Sequence, residues 1–85
     1  MEIVTPLQGS RYRVDESIPA ATQTVVPKFV TGIPFDRSEW TLDGKTLPKE
    51  GIVIPKLSSG RHEIRITLWS GREKIAGKSV EFSVE

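Results

Sequence analysis

Few side chains in this 85-residue chain could do acid–base or nucleophilic chemistry: one histidine, His62, scattered serines, and the carboxylates Asp36, Glu39 and Asp43. A catalytic triad needs its nucleophile presented on a sharp turn with a base beside it. No serine here has a strand-to-helix setting, and His62 alternates with Ile64 and Ile66, which makes it a structural histidine at the start of a strand. One histidine and no cysteine are too few ligands for zinc. Gly71 and Gly77-Lys78-Ser79 imitate a phosphate-binding loop, but five residues separate the glycines where the motif has four. An alternating strand also follows where that motif needs a helix. The three carboxylates read as solvated turn and strand-edge residues rather than an acid/base pair. The sequence therefore calls for no catalytic residue, no metal and no cofactor.

Interaction is the remaining chemistry. Trp69 continues by alternation the polar row of Arg61, Arg65 and Thr67, and a tryptophan beside arginines on an open sheet face can stack on a sugar or anchor a protein partner. Against that stands a bulge or the turn at Ser70 tucking the ring into the rim of the core. Tyr12, between Arg11 and Arg13, is a second candidate contact residue.

The element that positions these residues is Gly60–Leu68, the cleanest period-two stretch, with His62, Ile64, Ile66 and Leu68 on one side and Arg61, Glu63, Arg65 and Thr67 on the other. Ser79–Glu85 alternates likewise, and Ser70-Gly71 supplies a turn, so the two form an antiparallel hairpin. Upstream, Glu2–Thr5 is a short edge strand closed by Pro6, and Arg11–Val14 is a second strand with Tyr12 and Val14 on one face. Asp15–Ala21 is loop with room for one 3₁₀ turn. Gln23–Val30, interrupted by Pro27, is a strand with a bulge or an edge position, with Val25 and Phe29 toward the core. Ser38–Leu42 places Trp40 and Leu42 on one face. Asp43-Gly44 then turns it into Lys45–Leu47, since glycine accepts the positive φ of a tight hairpin. Gly51–Pro55 is another short strand, and Gly77 marks a bulge in the closing one. There is no helix of useful length, repeat or linker.

About seven short antiparallel strands at roughly ten-residue spacing give an all-β fold, an immunoglobulin-like β-sandwich, with a small open barrel as the alternative. Trp40, Phe82, Ile64, Ile66 and Leu68 are its expected core. The length suits one domain over residues 1–85. Twelve Lys and Arg against eleven Asp and Glu, alternating in sign, leave a net charge of +1. That excludes charge-driven binding of nucleic acid or acidic membrane. No apolar run is long enough to span a bilayer.

Pro6–Asp15, then Ile18-Pro19, Trp40-Thr41-Leu42-Asp43-Gly44 and Gly60-Arg61-His62-Glu63-Ile64, occur in the order found in the C-terminal domain of bifunctional, class A penicillin-binding proteins of the penicillin-binding protein C type, which the chain resembles. The pattern departs from that family around Ile52–Pro55, where an aromatic residue is expected, and at Ser59-Gly60, where Pro-Gly is common. The resemblance implies an extracytoplasmic, non-catalytic Ig-like module at the C-terminus of a larger, membrane-anchored peptidoglycan synthase. Its partner would be another envelope protein or, as a carbohydrate-binding module, the peptidoglycan glycan itself; the oligomeric state stays open. In such proteins the glycosyltransferase glutamate and the Ser-x-x-Lys nucleophile lie in upstream domains. Neither maps onto this sequence, and Lys45-Thr46 and Thr46-Leu47-Pro48-Lys49 echo penicillin-recognition motifs only in composition, inside a hairpin with no nucleophile.

Overall fold

The computed structural model describes residues 1–85. Its centre is the expected hairpin, longer than the alternation alone suggests: β8 spans Gly60–Ser70 and β9 spans Glu73–Val84, paired antiparallel from Gly60↔Val84 to Ser70↔Glu73. Two further strands, β5 (Arg37–Leu42) and β6 (Lys45–Thr46), lie beyond β8, and β2 (Ser10–Tyr12) lies beyond β9, giving a five-stranded sheet ordered β2-β9-β8-β5-β6. The Asp43-Gly44 turn has φ of 50° and 85° at its two central residues, the double positive φ of a type I′ hairpin.

The facing layer is two ribbons rather than one sheet. β1 (Glu2–Thr5) pairs with β4 (Lys28–Val30), and β3 (Thr24–Val25) pairs with β7 (Ile52–Val53), both antiparallel. The expected single run Gln23–Val30 is thus divided at Val26-Pro27 between the two ribbons, because proline cannot donate to a continuing ladder. Two 3₁₀ turns, Ala20–Thr22 and Ile54–Lys56, complete the chain, and the second cuts short the strand expected over Gly51–Pro55. Neither turn is long or apolar enough to cross a membrane.

The layers close on a core of nine apolar side chains. β8 supplies Ile64, Ile66 and Leu68, each 0% exposed, and β9 supplies Val80, Phe82 and Val84. From the ribbons and the turn after them come Ile3, Ile52 and Ile54. Trp40, Val25 and Phe29 pack against this cluster half-buried. The architecture is the all-β, immunoglobulin-like sandwich read from the sequence, with no closed barrel. One ladder departs from antiparallel: β2 runs parallel to β9, in the register Ser10↔Phe82 and Tyr12↔Val84. The chain turns at Leu7–Ser10, where the Ser10 amide donates to the Leu7 carbonyl, and crosses from the β1 ribbon to the large sheet instead of folding back on itself.

Gly77 is not a bulge. It sits in register opposite Thr67, and the irregularity lies one step on, between Leu68↔Ala76 and Trp69↔Lys74, where Ile75 is the extra residue. What Gly77 provides is space: a Cβ there would lie 2.8 Å from Nη2 of Arg65, so the absent side chain leaves room for that guanidinium to lie across the sheet. A different glycine is indispensable to the backbone. Gly51 is buried at φ +100°, and a Cβ would meet the Val25 carbonyl oxygen at 2.7 Å, across the β3–β7 ribbon. Backbone strain and the clash together predict that Gly51→Ala destabilises the fold by about 2–4 kcal/mol. Gly44→Ala meets only the positive-φ penalty, about 1–2 kcal/mol. Urea unfolding of both variants checks the ranking.

Candidate interaction face and histidine clamp

The outer face of the five-stranded sheet carries the polar alternates of each strand. Reading across β8, Arg61 lies opposite Ser83, Glu63 opposite Glu81, Arg65 between Thr41 and Ser79, Thr67 between Glu39 and Gly77, and Trp69 opposite Arg37. The structure therefore places three of the candidate contact residues, Arg61, Arg65 and Trp69, on one face. It separates them along the strand, however, and gives Trp69 a partner that the local sequence does not supply.

That partner is Arg37, whose guanidinium carbon lies 4.9 Å from the centroid of the Trp69 ring. The stack comes from the register Arg37↔Trp69, which sets two residues far apart in sequence directly side by side. Trp69 is half-buried but does not pack on the core, so the bulge beside it does not tuck it inside. Its Nε1 is buried without a hydrogen-bond partner. Arg65 reaches toward Gly77 rather than Trp69, and Arg61, at the far end of the strand, instead borders a shallow polar hollow with Arg11, Ser83 and Gln8.

Tyr12 belongs to the other face. It pairs with Val84 and meets Phe82 edge-on at 5.7 Å, packing on the rim of the core, where burial raises its phenol pKa against the opposing effect of a hydrogen bond with Ser10. The parallel register of β2 decides this, since it aligns Ser10 and Tyr12 with the inward Phe82 and Val84.

His62 is structural, as expected, and its surroundings are more specific than the alternation could foretell. The ring is 7% exposed, stacks on Phe82 at 5.6 Å, and presents Nδ1 to Oδ2 of Asp43 at 2.6 Å and Nε2 to the Ser58 carbonyl at 2.7 Å. Burial alone would lower the pKa of the imidazole, but the Asp43 hydrogen bond, the Ser58 carbonyl and the charge of Asp43 outweigh it and raise the value above 6.5. Burial likewise pushes Asp43 up, and the bonds from His62 and the Glu63 amide, with the histidine charge, bring it below the usual carboxylate range. Asp43 is thus more than a solvated turn residue: its Oδ1 accepts the Glu63 amide at 2.8 Å while Oδ2 holds the ring. Asp36 has a comparable task, accepting the Gly71 amide at 2.8 Å and tying the β8–β9 turn to the loop before β5. A carboxylate just before or after a strand was the available signal for both; their partners lie nineteen and thirty-five residues away.

Loss of the Arg37 stack is measurable. Arg37→Ala is expected to shift Trp69 emission to longer wavelength, read against a Trp40→Phe background, and to cost about 0.5–1 kcal/mol. An unchanged spectrum would mean that the guanidinium does not shield the ring.

Set beside known proteins, the fold acquires a family. A family model described as Penicillin-Binding Protein C-terminus Family matches residues 1–77, from β1 to the middle of β9. No curated protein and no solved structure matches the chain. The family match takes in both ribbons, the histidine clamp and the Arg37–Trp69 pair, and the chain belongs to the penicillin-binding protein C-terminus family.

Proposed function

We propose that this domain is a non-catalytic interaction module of a peptidoglycan-synthesising penicillin-binding protein, working outside the cytoplasm and contacting another envelope protein or the wall polymer. The observation that carries this reading is the commitment of the one imidazole. Both ring nitrogens are held by Asp43 and Ser58 at the edge of the core, so the chain's most versatile acid–base group is spent on the fold. Family membership supports the cell-wall context, and the mixed charges of the outer face suit a specific polar contact better than a general electrostatic one.

A second reading, recognition of peptidoglycan glycan, is favoured by the half-exposed Trp69 on the open sheet face. Arg37 already stacks on that ring, which leaves less of the tryptophan for a sugar. Two measurements separate the readings. The 85-residue domain, incubated with labelled penicillin or with lipid-linked precursor, is expected neither to be acylated nor to polymerise; either reaction would overturn the non-catalytic reading. Titration with glycan fragments, followed by Trp fluorescence with Trp69→Ala as control, is expected to give no saturable change if the partner is a protein. A saturable change lost in Trp69→Ala would establish the glycan reading.

A further inference from the structure

The clamp around His62 joins parts of the chain that face each other across an apolar groove. Asp43 belongs to the β5–β6 turn, and Ser58 follows the 3₁₀ turn Ile54–Lys56. A groove of about 370 Å³ has Leu42, Leu47 and Pro48 from the hairpin side and Ile52, Lys56 and Leu57 from the other. The β5–β6 ladder is only Leu42↔Lys45 and Thr41↔Thr46, and the segment from Leu57 to Ser59 belongs to no strand. The hairpin wall is tied to β8 by the β5–β8 ladder and by the Asp43 amide, which donates to the Glu63 carbonyl at 2.8 Å, so the lightly held wall is Leu57–Ser59, where the Leu57 amide donates to the Ile54 carbonyl within the 3₁₀ turn.

The two ring contacts together demand a particular protonation state. A carboxylate and a backbone carbonyl both accept hydrogen bonds and, at neutral pH, neither donates. At 2.6 and 2.7 Å both ring nitrogens must therefore carry a hydrogen, and the ring is an imidazolium. A neutral ring has a single N–H, so one lone pair would be forced against an oxygen, and the contact on that side would break.

We propose that protonated His62 is the pin that holds the two walls of this groove at their present separation, and that loss of one ring proton releases the Leu57–Ser59 segment from the β5–β6 hairpin and widens the groove while the rest of the sandwich stays folded. Asp43 is the charged side chain that meets the ring. Phe82 faces it from β9, and Tyr12 lies beyond Phe82 from β2. Glu63 and Glu81 project by alternation onto the opposite face of the sheet. Lys45 and Lys56, the cations of the two walls, form no ion pair. Proton exchange at the ring therefore acts on one anion and one carbonyl.

The sign follows from the direction of each shift. His62 is raised above 6.5, so the contribution of the pin to stability is complete below that pH and is lost as pH climbs through the raised value. Asp43 is lowered below 3.8, so the same contribution is lost again as pH falls through the lowered value. Between these limits the two walls are pinned together. The inference does not depend on what the outer face binds.

The test is a titration of the domain from pH 5 to 9 by two-dimensional NMR. The expected result is one midpoint above 6.5 shared by the His62 ring, the Gly44 and Ser59 amides and the Leu42 and Leu57 methyl groups, with the Ile64 and Ile66 amides unmoved. Asp43→Asn should lower the ring midpoint, and His62→Gln should abolish the coupled shift. The wild-type titration is decisive even if a variant fails to fold. A ring midpoint at or below 6.5 would overturn the proposal. So would a ring that titrates while the Ser59 amide and the Leu57 methyl groups stay still, or a core that moves with it.

Discussion

The rest of the molecule depends on the division of β8 into two rows. Ile64, Ile66 and Leu68 have no exposed surface, while Arg61 and Glu63 are exposed on the other side of the same strand. Each fully buried aliphatic or aromatic side chain of this kind contributes about 1.5–3 kcal/mol. With nine such residues making the whole core, moving this strand by one residue would turn the inner row outward and leave nothing for the ribbons to cover. The strand is secured on both sides, by β9 along its length and by β5 from Ile64 to Trp69.

A core this small leaves the connecting segments to be held by polar contacts, and they share one chemical form: a side-chain oxygen on a turn or loop accepts a backbone amide from a distant part of the chain. Asp36 takes the amide of Gly71, Asp43 that of Glu63, and Gln8 that of Glu81. Gln23 both accepts the Asp15 amide and donates to the Asp15 carbonyl, standing in for a neighbouring strand where the loop has none. Each such contact satisfies a backbone group at the end of a ladder or in a loop. Lys78 extends the pattern to the second layer. It lies opposite Ile66 in register, and its ammonium reaches the Met1 carbonyl and the Glu2 carboxylate, joining the β1 ribbon to the large sheet.

The family assignment and the geometry bear on function from different directions. Membership places the chain among penicillin-binding protein C-termini but assigns no role to any residue here. The geometry says what each side chain is already doing: His62 holds a turn, Tyr12 packs on Phe82, Arg37 covers Trp69, and Arg65 lies toward Gly77. What remains for a partner is mainly the outer row of the large sheet, where opposite charges alternate and one large aromatic ring is half-open.

Much of this was legible in the sequence wherever the cause is local. A period-two pattern states which residues share a face, so the row His62 to Leu68 and the partner row through Val80 and Phe82 could be read directly. Asp43-Gly44 named its own turn because the positive φ values restrict the residue types there. Pro27 signalled an interruption, although not that the chain changes ribbon. Tertiary structure alone decided which residues meet across strands. The stack of Arg37 on Trp69 follows from a register set by the whole β5–β8 ladder, and the inward turn of Tyr12 from the parallel docking of β2 on β9. Asp43 and Ser58 reach His62 because the hairpin and the second 3₁₀ turn pack on the same end of the core. Alternation determines a side chain's face, but its partner depends on how distant segments align, and in a β-sandwich that alignment is set by the packing of both layers together.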